Sequence, residues 1–106
     1  MNRDVHSEIK NHIAENNIML YMKGTREEPM CGFSAQVIQI LNSYGQDYQT
    51  SNILDDWDLR EGIKSFSNWP TIPQLYVKGE FIGGCDIIME LHRKGELDAT
   101  LTKIQN

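Results

Sequence analysis

Apolar positions fall into short, well-separated groups along the chain, and their spacing alternates between helical and extended. Val5, Ile9 and Ile13 recur at i, i+4 and i+8, one stripe of an amphipathic helix that begins after Asp4 and ends near Asn16-Asn17. Ile18 to Met22 is a continuous apolar run bounded by Asn17 and by Lys23-Gly24, the pattern of a central strand buried on both faces. The next segment, Lys23 to Met30, is polar, and its Pro29 discourages helix until Cys31 is reached. From there Phe33, Val37, Ile40, Leu41 and Tyr44 form the stripe of a second helix, which Gly45 can close.

Tyr48 to Ile53 offers a second strand, so the first half reads β-α-β, with a parallel pair and a right-handed crossover. Either Asp55 or Asp56 can cap a helix that buries Leu59, Ile63 and Phe66 and stops at Asn68 and Trp69-Pro70. The period then shortens. Gln74 to Val77, the turn Lys78-Gly79 and Glu80 to Ile82 predict an antiparallel hairpin. After Gly83-Gly84, Asp86 can cap a helix carrying Ile87, Ile88 and Leu91, which Arg93-Lys94-Gly95 closes, and Leu97, Leu101 and Ile104 predict a last short helix. The hairpin must join the parallel pair in a mixed four-stranded sheet flanked by helices on both faces, an α/β plan of thioredoxin-like type. Without repeats, low-complexity tracts or linkers, one domain over residues 1–106 is expected.

Charge narrows the functions open to such a domain. A net charge of -5, from 10 basic and 15 acidic residues, argues against non-specific binding to nucleic acid or an anionic membrane, which needs a basic face. Any cationic patch must be local. Met1 to Glu8 contains no apolar signal segment and no run is long enough to span a bilayer, so a soluble, unexported, cytoplasmic protein is expected. The two cysteines, in a chain with ample apolar content, are then expected to be free thiols. His6, His12 and His92 are scattered and match no metal-ligand spacing.

Cys31 stands where the polar loop gives way to the second helix. A helix start favours thiolate through its unpaired N–H groups and the positive end of its dipole, and Lys23 adds a cation if the loop folds back. Dithiol chemistry of the Cys-x-x-Cys kind would need a cysteine at position 34, where Ser34 cannot resolve a mixed disulfide. Gly32 leaves the backbone beside the sulfur uncovered, which either admits a bulky partner or marks only a permissive turn. The side chain of Cys85 equally suits a small packed hydrophobe.

Cys31-Gly32-Phe33-Ser34, preceded by Lys23-Gly24-Thr25 and followed by Trp69-Pro70-Thr71-Ile72-Pro73 and Gly83-Gly84-Cys85-Asp86, resembles in order and spacing the monothiol glutaredoxin family of CGFS type, and most closely its short single-domain members. Two positions depart from the family pattern: Arg26, where proline is common, and Ile72, where an aromatic is often found. The resemblance implies glutathione as the small-molecule partner. Lys23 and Arg60, otherwise ordinary solvated charges, would pair with its glycyl carboxylate. The backbone of Ile72, ahead of a cis Pro73, would receive the extended peptide, with Thr71 a lesser contact. The N–H groups of Cys85 and Asp86 would hold the γ-glutamyl carboxylate at a helix start. The Asp86 side chain would meet the ligand's amine or act only as an N-cap. Cys85 would contribute backbone, its sulfur staying packed or closing a disulfide with Cys31 on oxidation. Trp69 would be chiefly a helix stop over the core.

The resemblance further implies a [2Fe-2S] cluster. Such a cluster takes four thiolates, which Cys31 of two chains and two glutathione thiols would supply, giving a glutathione-bridged homodimer. A BolA-type partner would replace one chain's ligand in an alternative complex, and apo iron–sulfur proteins would receive the cluster. The same residues also allow a glutathione-dependent disulfide oxidoreductase that works with one cysteine. A plain adaptor would leave the thiol and the cations without a purpose.

Overall fold

The computed structural model describes residues 3–102. Asp4 opens the first helix, α1 (Val5–Glu15), by accepting the Ser7 amide at 3.1 Å and the Ser7 hydroxyl at 2.8 Å. The strand that follows, β1 (Ile18–Met22), is buried at every position. Its side chains alternate, Ile18, Leu20 and Met22 entering one apolar cluster and Met19 and Tyr21 another. Such a strand needs helices on both faces of its sheet. α2 (Gly32–Asn42), α4 (Cys85–Arg93) and α5 (Leu97–Leu101) cover the first face, and α1 and α3 (Trp57–Ser67) the second.

β2 (Gln49–Asn52), β3 (Gln74–Val77) and β4 (Glu80–Gly83) complete the sheet in the order β2-β1-β3-β4. β1 runs parallel to β2 and antiparallel to β3, which pairs antiparallel with β4. This is the expected thioredoxin-like sheet. At the hairpin, Lys78 and Gly79 both take positive φ, 50° and 81°, the two-residue turn whose twist matches the strands.

Two helices present different faces from those the pattern predicts. α2 buries Ser34, Val37, Ile38 and Leu41, whereas Phe33 is 60% exposed and Ile40 and Tyr44 pack only at the edge of the core. The cause is Ser34, whose hydroxyl accepts the Lys23 amide at 3.1 Å at the end of β1 and so turns Phe33 outward. α4 begins two residues earlier than expected, with Gly84 rather than Asp86 as its N-cap. Asp86 is therefore a first-turn residue and not the cap, and Ile87 is exposed. The second strand is shorter than 48–53, because Ile53 starts a 3-10 turn (Ile53–Asp55) that delivers Asp56, not Asp55, to the α3 N-cap. In α5, Leu97 and Leu101 are buried, while Ile104 lies outside the described residues.

Arg3 ties α1 to α3. Its guanidinium donates to both carboxylate oxygens of Glu8 and to both of Asp56 at 2.6 to 2.8 Å, and Asp56 accepts the Leu59 amide at 3.1 Å. Gly62 allows the close approach of these helices, since a Cβ there would run into the Val5 side chain.

Asp56→Ala is expected to lower the unfolding free energy by about 1–2 kcal/mol, chiefly through the lost cap, read as a lower urea midpoint at unchanged slope. Hydrogen bonds from Arg3 hold the Asp56 carboxyl below the usual carboxylate range. Its contribution is therefore complete above about pH 3.9, the unfolded value, and is lost as pH falls through the lowered folded value. The difference between wild type and variant should close in acid.

Candidate functional site

The loop after β1 is short-circuited by its own backbone. Met30 donates to the Lys23 carbonyl at 2.9 Å, Thr25 and Glu28 exchange bonds at 3.2 and 3.1 Å, and Gly24 bridges to Pro29. Gly24 sits at φ +92°, its amide 2.8 Å from Asn52 Oδ1, and a Cβ there would lie 2.5 Å from both the Glu28 carbonyl and the Met30 amide nitrogen. Where a proline would stiffen the loop from within, Arg26 ties it to the start of β2. Its guanidinium lies 4.3 Å from the centre of the Tyr48 ring and donates to the Tyr48 carbonyl.

The loop thus folds back and sets Lys23 beside the first turn of α2. Cys31 is the N-cap of that helix, in extended conformation at φ −154° and ψ 138°. Burial pushes its thiol pKa up. The amides of Ser34 and Phe33, the Ser34 hydroxyl and the Lys23 charge together outweigh burial, and the net shift is downward from the ordinary value.

Three further segments close a cleft of about 430 Å³ in front of this sulfur, a volume typical of small-ligand sites. α3 supplies Arg60 and Lys64, one turn apart; the connection to β3 supplies Trp69 to Pro73, with a cis Ile72–Pro73 peptide; and α4 supplies Gly84 to Ile87. Gly84 permits the close approach, since a Cβ there would lie 3.2 Å from the Pro73 carbonyl oxygen and 3.5 Å from Trp69 Nε1. The six residues singled out from the sequence, Lys23, Cys31, Arg60, Ile72, Cys85 and Asp86, all line this cleft, as does Thr71. The charges along the lining are sorted, with Lys23, Arg60 and Lys64 on two walls and Asp86 on the α4 wall.

Sequence reasoning missed Lys64, although its place four residues after Arg60 puts both on one helical face. Lys64 pairs with Glu61 at 3.3 Å, a partly exposed contact that a ligand can replace. Phe33, expected in the core, lines the cleft instead, because Ser34 takes the inward position. Trp69 is 38% exposed, packs 5.8 Å from Phe81 and forms cleft wall, so it does more than stop a helix.

The second cysteine has the opposite character. Cys85 is buried, and its thiol lies 3.6 Å from both Gln36 Oε1 and Met89 Sδ. Burial, the Asp86 charge and the Cys31 charge all push its pKa up. Among the described residues, no group of three or more His, Cys, Asp or Glu side chains is arranged to hold a metal ion. One thiolate-prone sulfur, cations and backbone amides are what this chain offers to a ligand.

Comparison with known proteins gives a family model, described as Glutaredoxin, that matches residues 18–82. "Glutaredoxin-related protein 5, mitochondrial" from Danio rerio is 52% identical over 93 residues, covering 87% of this chain and 60% of that protein, so the chain spans less than two thirds of that relative. A Synechocystis protein named as an uncharacterized monothiol glutaredoxin is 50% identical over 101 residues, 95% of this chain and 94% of its own length. Among solved structures, reduced apo GrxS14 from poplar matches with a TM-score of 0.81 at 44% identity, covering 92% of this chain and 89% of that one. A buckwheat glutaredoxin–glutathione complex matches at 0.82 and 25% identity, covering 93% and 88%.

Alkylation with iodoacetamide should separate the two cysteines. The half-maximal rate at Cys31 is expected at lower pH than that of an ordinary cysteine, and that at Cys85 at higher pH. Ser34→Ala and Lys23→Gln each remove a contact that favours thiolate, so each should move the Cys31 profile to higher pH. Mass spectrometry of the two modified peptides across pH checks both statements.

Proposed function

The chain belongs to the glutaredoxin family, and from that premise we propose that it is a monothiol carrier. It binds a [2Fe-2S] cluster jointly with glutathione and passes it to apo iron–sulfur proteins. The observation that supports this most directly is the isolation of Cys31, a sulfur with lowered pKa whose motif partner is the fully buried Ser34. Gly32 beside it faces open space, with no atom within 4 Å of where a Cβ would stand, so a bulky thiol or cluster can approach.

Glutathione fits the sorted charges of the cleft, and a relative of the same fold is solved with glutathione. Lys23, Arg60 and Lys64 would receive the glycyl carboxylate, the Ile72 backbone would align the peptide, and the Cys85 and Asp86 amides at the start of α4 would take the γ-glutamyl carboxylate. The Asp86 carboxylate would meet the ligand's amine. The glutathione thiol then lies beside Cys31, and two such pairs, from two copies of the chain, make the four thiolates that the cluster takes. A BolA-type protein is the proposed alternative to the second copy. No helix among the described residues is long and apolar enough to cross a membrane. The chemistry needs a compartment that keeps Cys31 reduced and supplies glutathione; we propose the cytoplasm, noting that the Danio rerio relative is named as mitochondrial.

The lowered pKa of Cys31 also favours a second activity, glutathione-dependent reduction of mixed disulfides. The Cys31 thiolate would attack the glutathione sulfur of a glutathionylated protein, forming a Cys31–glutathione disulfide and releasing the substrate as thiolate. A second glutathione thiolate would attack that disulfide, restoring Cys31 and leaving as oxidised glutathione.

Anaerobic reconstitution with iron, sulfide and glutathione, followed by absorption spectra and sizing, tests the carrier reading. A coloured dimer is expected for wild type and for Cys85→Ser, and none for Cys31→Ser or without glutathione. A colourless monomer that rapidly turns over glutathionylated substrates would overturn it in favour of the second activity.

A further inference from the structure

We propose that Trp57 is a positioning residue for glutathione: its indole face holds the Arg60 guanidinium so that the N–H edge of that group is presented to the glycyl carboxylate. The inference rests on the reading of the cleft as a glutathione site. Trp57 is the first residue of α3 and Arg60 stands three positions later, on the same side of the helix. The guanidinium carbon lies 5.5 Å from the indole centroid, within reach of a cation–π contact. Trp57 is 66% exposed, so burial in the core does not account for a large aromatic at this place.

Arg60 carries the complementary observation. It lines the cleft, and its Nε is withdrawn from solvent with no hydrogen-bond partner among the described residues. A buried donor without an acceptor is costly, and its lack of a partner shows that no hydrogen bond at Nε holds the guanidinium in place. The way Arg60 is held matters for binding. A carboxylate neighbour would occupy the same N–H fork that must grip the ligand, whereas an aromatic face touches only the π surface and leaves the donors in the guanidinium plane free. Fixing the long side chain in advance also reduces the ordering required when the ligand arrives. Lys64, one turn further on, is held instead by an ion pair with Glu61.

The test is an NMR amide-shift titration of the reduced protein with glutathione and with its glycyl monoethyl ester, which lacks the carboxylate in question. Wild type, Trp57→Ala, Trp57→Phe, Arg60→Ala and the Trp57→Ala/Arg60→Ala double variant are compared. Trp57→Ala is expected to weaken glutathione binding about two- to fivefold, the equivalent of an exposed cation–π contact, and Trp57→Phe to recover part of the loss. Affinity for the ester should not change, and Trp57→Ala should have no further effect once Arg60 is alanine. Equal losses for glutathione and ester, or a loss that persists in the Arg60→Ala background, would overturn the inference in favour of a structural role. Binding by wild type with no change in Trp57→Ala would overturn the inference alone. Wild type that does not bind glutathione would overturn the reading of the cleft and the inference with it.

Discussion

The hydrogen bond from the Lys23 amide to the Ser34 hydroxyl joins the last residue of a central strand's exit to the first turn of a helix on the sheet's face. A strand buried on both faces is the most fixed element of this architecture, so whatever its end binds inherits its position. Ser34 is fully buried, which leaves Cys31, three residues earlier, at the open mouth of the helix, and rotates Phe33 from the core into the cleft. The same hydroxyl lowers the pKa of the sulfur. One polar group buried in an apolar interface thus sets the orientation of the helix, the exposure of the thiol and part of its charge.

That junction holds because the intervening loop is pinned at both ends. Gly24 takes a conformation and a closeness of approach that a side chain would forbid, and Arg26 locks the outer part of the loop onto Tyr48. The loop is therefore a rigid bracket rather than a flap. Its consequence is electrostatic, because the folded-back strand end brings the Lys23 charge to bear on Cys31. In a chain of net charge -5 the three cations of the cleft wall are a local reversal of sign, and long-range attraction of anions by the whole molecule cannot substitute for them.

The order of elements was legible because its signals are local. β1 declares itself as an unbroken apolar run, the hairpin by Lys78-Gly79, and the helices by their caps and spacing. The face of α2 was not legible. Two stripes fit the helical period, both containing Val37 and Leu41, and the choice between them depends on Ser34, a polar residue that a count of apolar positions passes over. Asp55 and Asp56 were equivalent in sequence until a 3-10 turn separated them. The salt bridge between Arg3 and Asp56, which are 53 residues apart, has no local signature. Of the site, the motif-borne residues were readable and Lys64 on the α3 wall was not, since it owes its significance to Arg60 and to a helix whose direction only the fold supplies. The same holds for Trp57, which lies outside the cleft lining and meets it only through Arg60.

Cys31 and Cys85 line one cleft yet are driven apart in pKa, and the separation follows from geometry. Cys31 stands at the N-cap of a helix, where the backbone of Ser34 and Phe33 favours its thiolate. Cys85 is the first residue within its helix, and its side chain is turned back against Gln36 and Met89. A neutral Cys85 means that a thiolate at Cys31 meets no second sulfur anion in the cleft. The Lys23 charge then acts on a single negative group, and the start of α4 remains free to receive a carboxylate through its backbone. On the proposed reading this asymmetry is what makes the site incomplete by itself. With one chain offering one thiolate, the remaining sulfur ligands of a shared cluster have to come from a bound thiol and from another molecule. Holding and releasing such a cluster then becomes a matter of exchangeable partners rather than of breaking a closed protein site.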